Sequence, residues 1–362
     1  ANNNCMFQLA RLWAKQNKQE KSEQQCVAIL RINPKHDDSA MLLADLLSQN
    51  QNHEAATDRI CQILERHPSN YLALSKLIRL FRRAGRLDDV PLFLEIAEQS
   101  DSRALSHPGL CFCKGLNCRY SNNLIAAIKH FNLARWDSKW GGLAIMNMIE
   151  LYLNPENEPQ NMHRVPTHRF GNVCNCRTRR WDEKSETEFN LQTDMTVGHL
   201  LKELEIFEVP VDVNIKVKVL RAYSYLTIRS QAKIDQAIQM FIEILERRKD
   251  YLPALLGIST AFLIDKSTTK ARNALKRIAK MPYSHELAEE FERGYLLLAE
   301  IYIQKSKFDL SEDLCNRCLK YNLSCSKAWE TMGVIREREA SYKDAADMYE
   351  KVWSVLKFNT EL

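Results

Sequence analysis

Apolar residues recur along this chain at i, i+3, i+4 and i+7, the spacing that gathers them on one stripe of a helix. The stripes come in units. Pro34 and Pro68 each close an apolar helical run and lie 34 residues apart. Leu9-Ala10 recurs as Leu43-Ala44 and then as Leu77-Ile78, Ser22 as Ala56, and Ile29 as Ile63, all at the same interval. Near the other end Tyr295 returns as Trp329, Ala299 as Gly333, Ser311 as Ala345 and Cys315 as Tyr349, again 34 apart. A period of this length marks stacked repeats, because one unit alone leaves its apolar stripe in water.

Residue size within a unit predicts a pair of helices. A small residue (Ala10, Ala44, Ala299, Gly333) sits where two helices approach closely, and a large one follows three later, as in Trp13, Leu47 and Tyr302. The second helix carries a small residue, a large one four later and another apolar one after three more: Ala127, Phe131, Ala134, and Ala345, Tyr349, Val352. Turn residues separate the two helices at Ala84-Gly85, Ser121-Asn122-Asn123 and Ala340-Ser341. The units fall at 3–36, 37–70, 71–104, 108–140, 211–249, 250–289, 292–325 and 326–359, with a further first helix at 143–153. Periodicity then stops. Residues 155–188 hold Pro, His and a basic cluster without an apolar stripe and are expected to be a disordered insertion loop. Val197, Leu200, Leu201 and Leu204 resume helical spacing, so 190–206 is expected to return the chain to the array. The organisation expected is a first helical block, 1–154, and a second, 189–362.

The small/large pattern at this period resembles the tetratricopeptide repeat. That implies an all-α fold, a right-handed superhelical solenoid of tetratricopeptide-type helix pairs. Longer stretches resemble one family in particular. They are NYLALSKLIRLFRRAGRLDDVPLFLEIAE (70–98), KHFNLAR with NMIELYLNP within 128–155, PALLG with ARNALKRIAKMP within 253–282, and AEEFERGYLLLAEIYIQKSKFDLSEDLCNRCLKYN with YKDAADMYEKVW within 288–353. These are similar to the C-terminal part of the tetratricopeptide repeat protein 21 family, subunits of intraflagellar transport complex A. The resemblance implies a scaffold without catalytic activity that supports retrograde transport and cargo import in cilia. It implies a place in the axoneme, basal body and cytoplasm, with other complex A subunits built from WD-repeat and helical-repeat parts as partners. In the repeat family the inner groove is lined by first helices, which points to Arg11, Asp45, Arg79, Arg82 and Arg83, with an acidic segment as the guest that arginines would pair. A chaperone adaptor, or a scaffold of another multi-subunit complex, is the alternative. Chaperone adaptors place Lys and Asn four apart on a first helix, and the matching pairs here (Phe7/Arg11, Met41/Asp45, Ser75/Arg79, Leu296/Glu300, Glu330/Val334) hold no such combination.

Composition removes other classes. With only 10 Gly and 10 Pro in 362 residues the turn supply of an all-β protein is missing. No apolar run reaches the length of a membrane span. The net charge of +5 is spread over 51 basic and 46 acidic residues that mostly intersperse, which disfavours nucleic acid as a partner. The 11 Cys, an odd number without a signal peptide, read as free thiols. Cys315 and Cys318 form a C-x-x-C beside Cys325, yet zinc needs four ligands, and both fall in core slots of a second helix. Cys111 and Cys118, on a first helix with Cys113, also fall in core slots. In the insertion, His163, His168, Cys174 and Cys176 are possible ligands at a spacing foreign to structural zinc, beside Arg177, Arg179, Arg180 and Trp181. No phosphate-binding glycine loop or nucleophile elbow is present. The acid pairs Asp88-Asp89 and Glu289-Glu290 fall near helix starts, where the dipole favours them. No cofactor, metal or catalytic residue is expected.

The chain begins with Ala and reads as a piece of a longer protein. Phe7, Leu9 and Leu12 at one end, and Val352, Trp353, Val355 and Leu356 at the other, have no polar capping helix, so further chain or a partner subunit is expected to cover them.

Overall fold

The computed structural model describes residues 2–16, 18–50, 52–100, 103–153, 183–206, 211–284 and 287–357. They form α-helices in nine successive pairs: α1 (Asn2–Lys15) and α2 (Gln19–Ile32), α3 (Asp37–Gln49) and α4 (His53–Arg66), α5 (Tyr71–Ala84) and α6 (Val90–Gln99), α7 (Pro108–Tyr120) and α8 (Leu124–Ala134). They continue with α9 (Gly141–Leu153) and α10 (Glu183–Ile206), α11 (Val211–Thr227) and α12 (Gln231–Arg247), α13 (Leu252–Ile264) and α14 (Thr268–Lys280), α15 (Ala288–Gln304) and α16 (Phe308–Tyr321), α17 (Ser326–Arg338) and α18 (Tyr342–Lys357). The architecture is all-α and built of helix pairs, as the period predicts.

The helix boundaries have local causes. His36, Asn52, Asn70 and Asn123 each accept the backbone N–H three residues on and so cap α3, α4, α5 and α8. The first turn of α15 carries Glu289 and Glu290, and Asp88 and Asp89 stand in the 3-10 turn leading into α6, as the dipole argument requires. Helix α15 starts at Ala288, four residues before the unit expected at 292.

Turns inside the pairs share one backbone solution. Gly85, Asn122, Arg229, Lys266, Ser306 and Ala340 all take positive φ between the first and second helix of a unit. That left-handed conformation reverses the chain in a few residues and costs an ordinary side chain about 1–2 kcal/mol. Lys266→Gly is therefore expected to raise stability by about 0.5–1 kcal/mol, once the freer unfolded chain is counted. A lower urea midpoint for that variant would sink the argument.

The small slots of the sequence pattern are the places where helices meet. Ser22 Oγ donates to Ala10 O at 2.8 Å and Ser311 Oγ donates to Ala299 O at 3.1 Å. Both serines are fully buried, in the slot that Ala56 and Ala345 fill elsewhere. A hydroxyl is tolerated there because the first helix supplies an acceptor twelve residues back. Gly257 on α13 is a close approach of another kind: a Cβ there would lie 2.4 Å from two ring carbons of Phe241 on α12.

By contact density the described chain divides into two compact units, residues 1–120 with 321–324, and residues 121–320 with 325–362. In the first, Leu74, Leu77, Ile78, Phe81 and Phe112 are fully buried. In the second, one core surrounds Phe241 from α11, α12 and α13, and another runs from α13 to α17 around Phe291, Leu298, Cys315 and Cys318. The break in periodicity lies inside the second unit. There α9 and α10 pack on each other as a pair, so the segment between them interrupts one repeat after its first helix. Helix α10 begins at Glu183, which corrects the loop expected over 155–188: its last six residues are helical. The rest of that loop, with His163, His168, Cys174, Cys176, Arg177, Arg179, Arg180 and Trp181, lies outside the described residues. Leu9, Leu12 and Trp353, expected to want a cover, are exposed.

Candidate functional site: charged faces of the first helices

Cys315 and Cys318 are buried in the core, as their slots predict, and Cys325 joins them. Cys318 Sγ lies 3.6 Å from Cys325 Sγ, and burial raises the Cys315 thiol to about 12. Protonated, buried thiols are poor nucleophiles and poor ligands. Among the described residues no group of three or more His, Cys, Asp or Glu is arranged to hold a metal ion. The placement of Cys118 needs correction. Cys118 is half-buried, whereas Cys113, five residues earlier, is fully buried with its thiol 3.4 Å from Tyr71 O. Cys111 is buried as expected.

The five groove residues all lie in the first compact unit. Arg11 is exposed on α1, with Nη1 3.3 Å from Gln8 Oε1 and its guanidinium 6.0 Å from the Phe7 ring. Asp45 on α3 is already engaged: Lys76 Nζ on α5 donates to Oδ2 at 2.6 Å. Arg79, Arg82 and Arg83 share one turn of α5. Arg82 stacks on the Tyr120 ring of α7 at 4.7 Å. Arg83 stands near His53 of α4, whose pKa is lowered by burial first and by the Arg83 charge second. Arg79 is exposed. The structure thus brings the three arginines onto one basic turn, with Asp45 bound alongside through Lys76. Helix α5 carries four cations and no acid.

Sequence reasoning passed over a second charged face, in the other compact unit. Lys216 on α11 pairs with Glu150 on α9 at 3.4 Å. Burial alone would lower the Lys216 pKa, but Glu150, Glu290 and Glu289 together raise it. Glu290 on α15 is raised by burial, with Lys216 and Arg293 pulling the other way. Burial also raises Tyr223 of α11, which shares a hydrogen bond with Thr260 of α13. First helices of four successive repeats are joined by these groups. Nothing in the pattern of apolar positions signals them, because each partner sits on a different repeat. Nearby, Arg135 at the end of α8 donates from Nη2 to Glu203 Oε1 of α10 at 2.9 Å and stacks on Trp136 at 4.4 Å.

These faces offer charges paired across neighbouring first helices. Together with the helix pairs they define a class, a helical-repeat scaffold. A crystal structure of a tetratricopeptide repeat protein from Parabacteroides merdae has the same fold, with TM-score 0.50 and 10% identity over 83% of this chain and 98% of that one. The family model for the tetratricopeptide repeat protein 21 C-terminal ARM domain matches residues 196–361, and the model for the TT21 fifth ARM repeats domain matches 37–153. The chain belongs to the tetratricopeptide repeat protein 21 family. It is 39% identical to human tetratricopeptide repeat protein 21A and 41% identical to human tetratricopeptide repeat protein 21B, each over 97% of this chain. The Caenorhabditis elegans tetratricopeptide repeat protein 21 homolog is 24% identical over 96% of it. The chain spans about a quarter of the length of these relatives, 26% in each case. Among the described residues no helix is long and apolar enough to cross a membrane.

Proposed function

We propose that this chain is part of a non-catalytic scaffold subunit of intraflagellar transport complex A, supporting retrograde ciliary transport and cargo import from the axoneme, basal body and cytoplasm. The observation that carries the reading is the match to the tetratricopeptide repeat protein 21 family along almost the whole chain. The partners proposed are the other subunits of that complex, built from WD-repeat propellers and helical repeats, with ciliary cargo or adaptors as further guests. A stack of helix pairs suits this role because each repeat adds one rigid contact surface without altering its neighbours.

Within the first compact unit, the basic turn of α5 is proposed to hold an acidic segment of such a partner. Arg79 and Arg83 would pair with its carboxylates, while the Tyr120 ring holds Arg82 in place. Asp45 belongs to the frame of this face through Lys76.

The experiment is affinity purification of the full-length protein from ciliated cells, followed by mass spectrometry. Complex A subunits are expected with the wild type, fewer after deletion of 211–362, and weaker recovery of one of them from the R79E/R83E double variant. Recovery of chaperones in place of complex A subunits would overturn the assignment. Unchanged recovery from R79E/R83E would overturn the role of α5 alone.

A further inference from the structure

Helix α14 stands apart from the second helices around it. Its thirteen residues carry Lys270, Arg272, Lys276, Arg277 and Lys280 and no acid. The second helices on either side mix signs: α12 has Asp235, Glu243 and Glu246, and α16 has Asp309, Glu312 and Asp313. Lys270, Lys276, Arg277 and Lys280 are exposed. At helical spacing they line one stripe about 15 Å long. Arg277 alone on α14 has a carboxylate partner among the described residues, Asp250 at 2.8 Å. Arg272 Nε is shielded from solvent and has no acceptor among the described residues.

Two contacts extend the stripe into a patch. Arg277 also donates to Lys249 O, which brings the exposed Lys249, just past the end of α12, beside it. Arg317 of α16, which is also paired with Asp313 at 3.0 Å, donates to Ala279 O at 3.3 Å, which brings its guanidinium to the end of α14. Cations at helix C-termini favour the dipole and need no further reason. Lys270 does need one. It stands in the first turn of α14, where the dipole opposes positive charge, and that turn holds no acid to offset it.

We infer that this face of α14, with the ends of α12 and α16, is a docking surface for an acidic segment of a partner protein. Charge complementarity selects the occupant. The guanidinium groups supply the fork that carboxylates fit, and Arg277 with Asp250 already shows that pairing on the same helix. A membrane is the less favoured guest. Among the residues from 214 to 284 whose burial is described, no large apolar side chain stands exposed to enter a lipid surface. The surface lies in the second compact unit and does not depend on the α5 reading.

The test measures binding of a fluorescent oligoglutamate peptide to the full chain by anisotropy at low and moderate salt. Binding is expected to the wild type, with affinity about tenfold lower in K276E/K280E and falling as salt rises. The milder K276Q/K280Q variant should lie between them, and K343E on α18 should match the wild type. R79E/R83E separates the two sites: it should remove the α5 contribution and leave the part sensitive to K276E/K280E. The inference is overturned if K276E/K280E binds as the wild type does with its helical circular dichroism intact. It is equally overturned if the chain binds phosphatidylserine vesicles but not the peptide.

Discussion

Gly257→Ala is expected to lower stability by about 2 kcal/mol, a large loss for one methyl group. The added carbon would stand 2.4 Å from both Cε1 and Cζ of Phe241, well inside van der Waals contact. The ring has nowhere to go. Phe241 is completely buried among α11, α12 and α13, and Tyr223 meets its edge with centroids 5.6 Å apart. Removing the ring instead leaves a void, so Phe241→Ala should cost about 3–5 kcal/mol. The pair offers an internal check. Phe241→Leu frees the space that the new methyl needs, so G257A/F241L should lose less than the two single changes together. Arrays of repeats unfold through neighbouring units, so hydrogen exchange of α11 to α13 is the better readout, with urea melts beside it. Unchanged protection in Gly257→Ala would mean that the close approach is not there.

The second large effect concerns Arg135 and Glu203. Their side chains are 9% and 20% exposed, and they tie the second helices of adjacent repeats, α8 and α10. Glu203→Ala leaves a shielded guanidinium without its carboxylate, at a cost of about 3 kcal/mol. Glu203→Gln keeps an acceptor in place and should cost less. Replacing both at once, Arg135→Met with Glu203→Leu, should come closer to the wild type than Glu203→Ala, because both charges of the pair are then removed together. Thermal melts of the three variants order them. If Glu203→Ala is as stable as the double replacement, the bridge contributes nothing to the joint between these repeats.

Much of this architecture is legible in the sequence because the repeat writes each helix several times. The small slots at Ala10, Ala299 and Gly333 and the large ones at Phe131 and Tyr349 fix which side of each helix faces inward. Gly85 and Asn122 announce their left-handed turns by residue type. Arg229, Lys266 and Ser306 take the same conformation without announcing it, since there the packing of the two helices overrides local preference. The charged faces are least legible. The partners Arg135 and Glu203 lie 68 residues apart, and Glu150 and Lys216 lie on successive first helices with the aperiodic segment between them. Periodicity places each helix in the stack but is silent on which polar side chains of adjacent repeats will meet. Asp45 illustrates the point: the family resemblance points to it as a groove residue, and only the structure shows Lys76 paired with it.

The position of the aperiodic segment has a practical side. Because α9 and α10 pack as one pair, the chain between Leu153 and Glu183 begins and ends within a single repeat. The two anchored helix ends fix what an insertion there must satisfy, and doubling the length of a flexible connection costs only about 0.6 kcal/mol in closure entropy. A fluorescent domain or an affinity tag spliced in between Leu153 and Glu183 would leave the pairing of α9 with α10 intact, giving a handle inside the second compact unit.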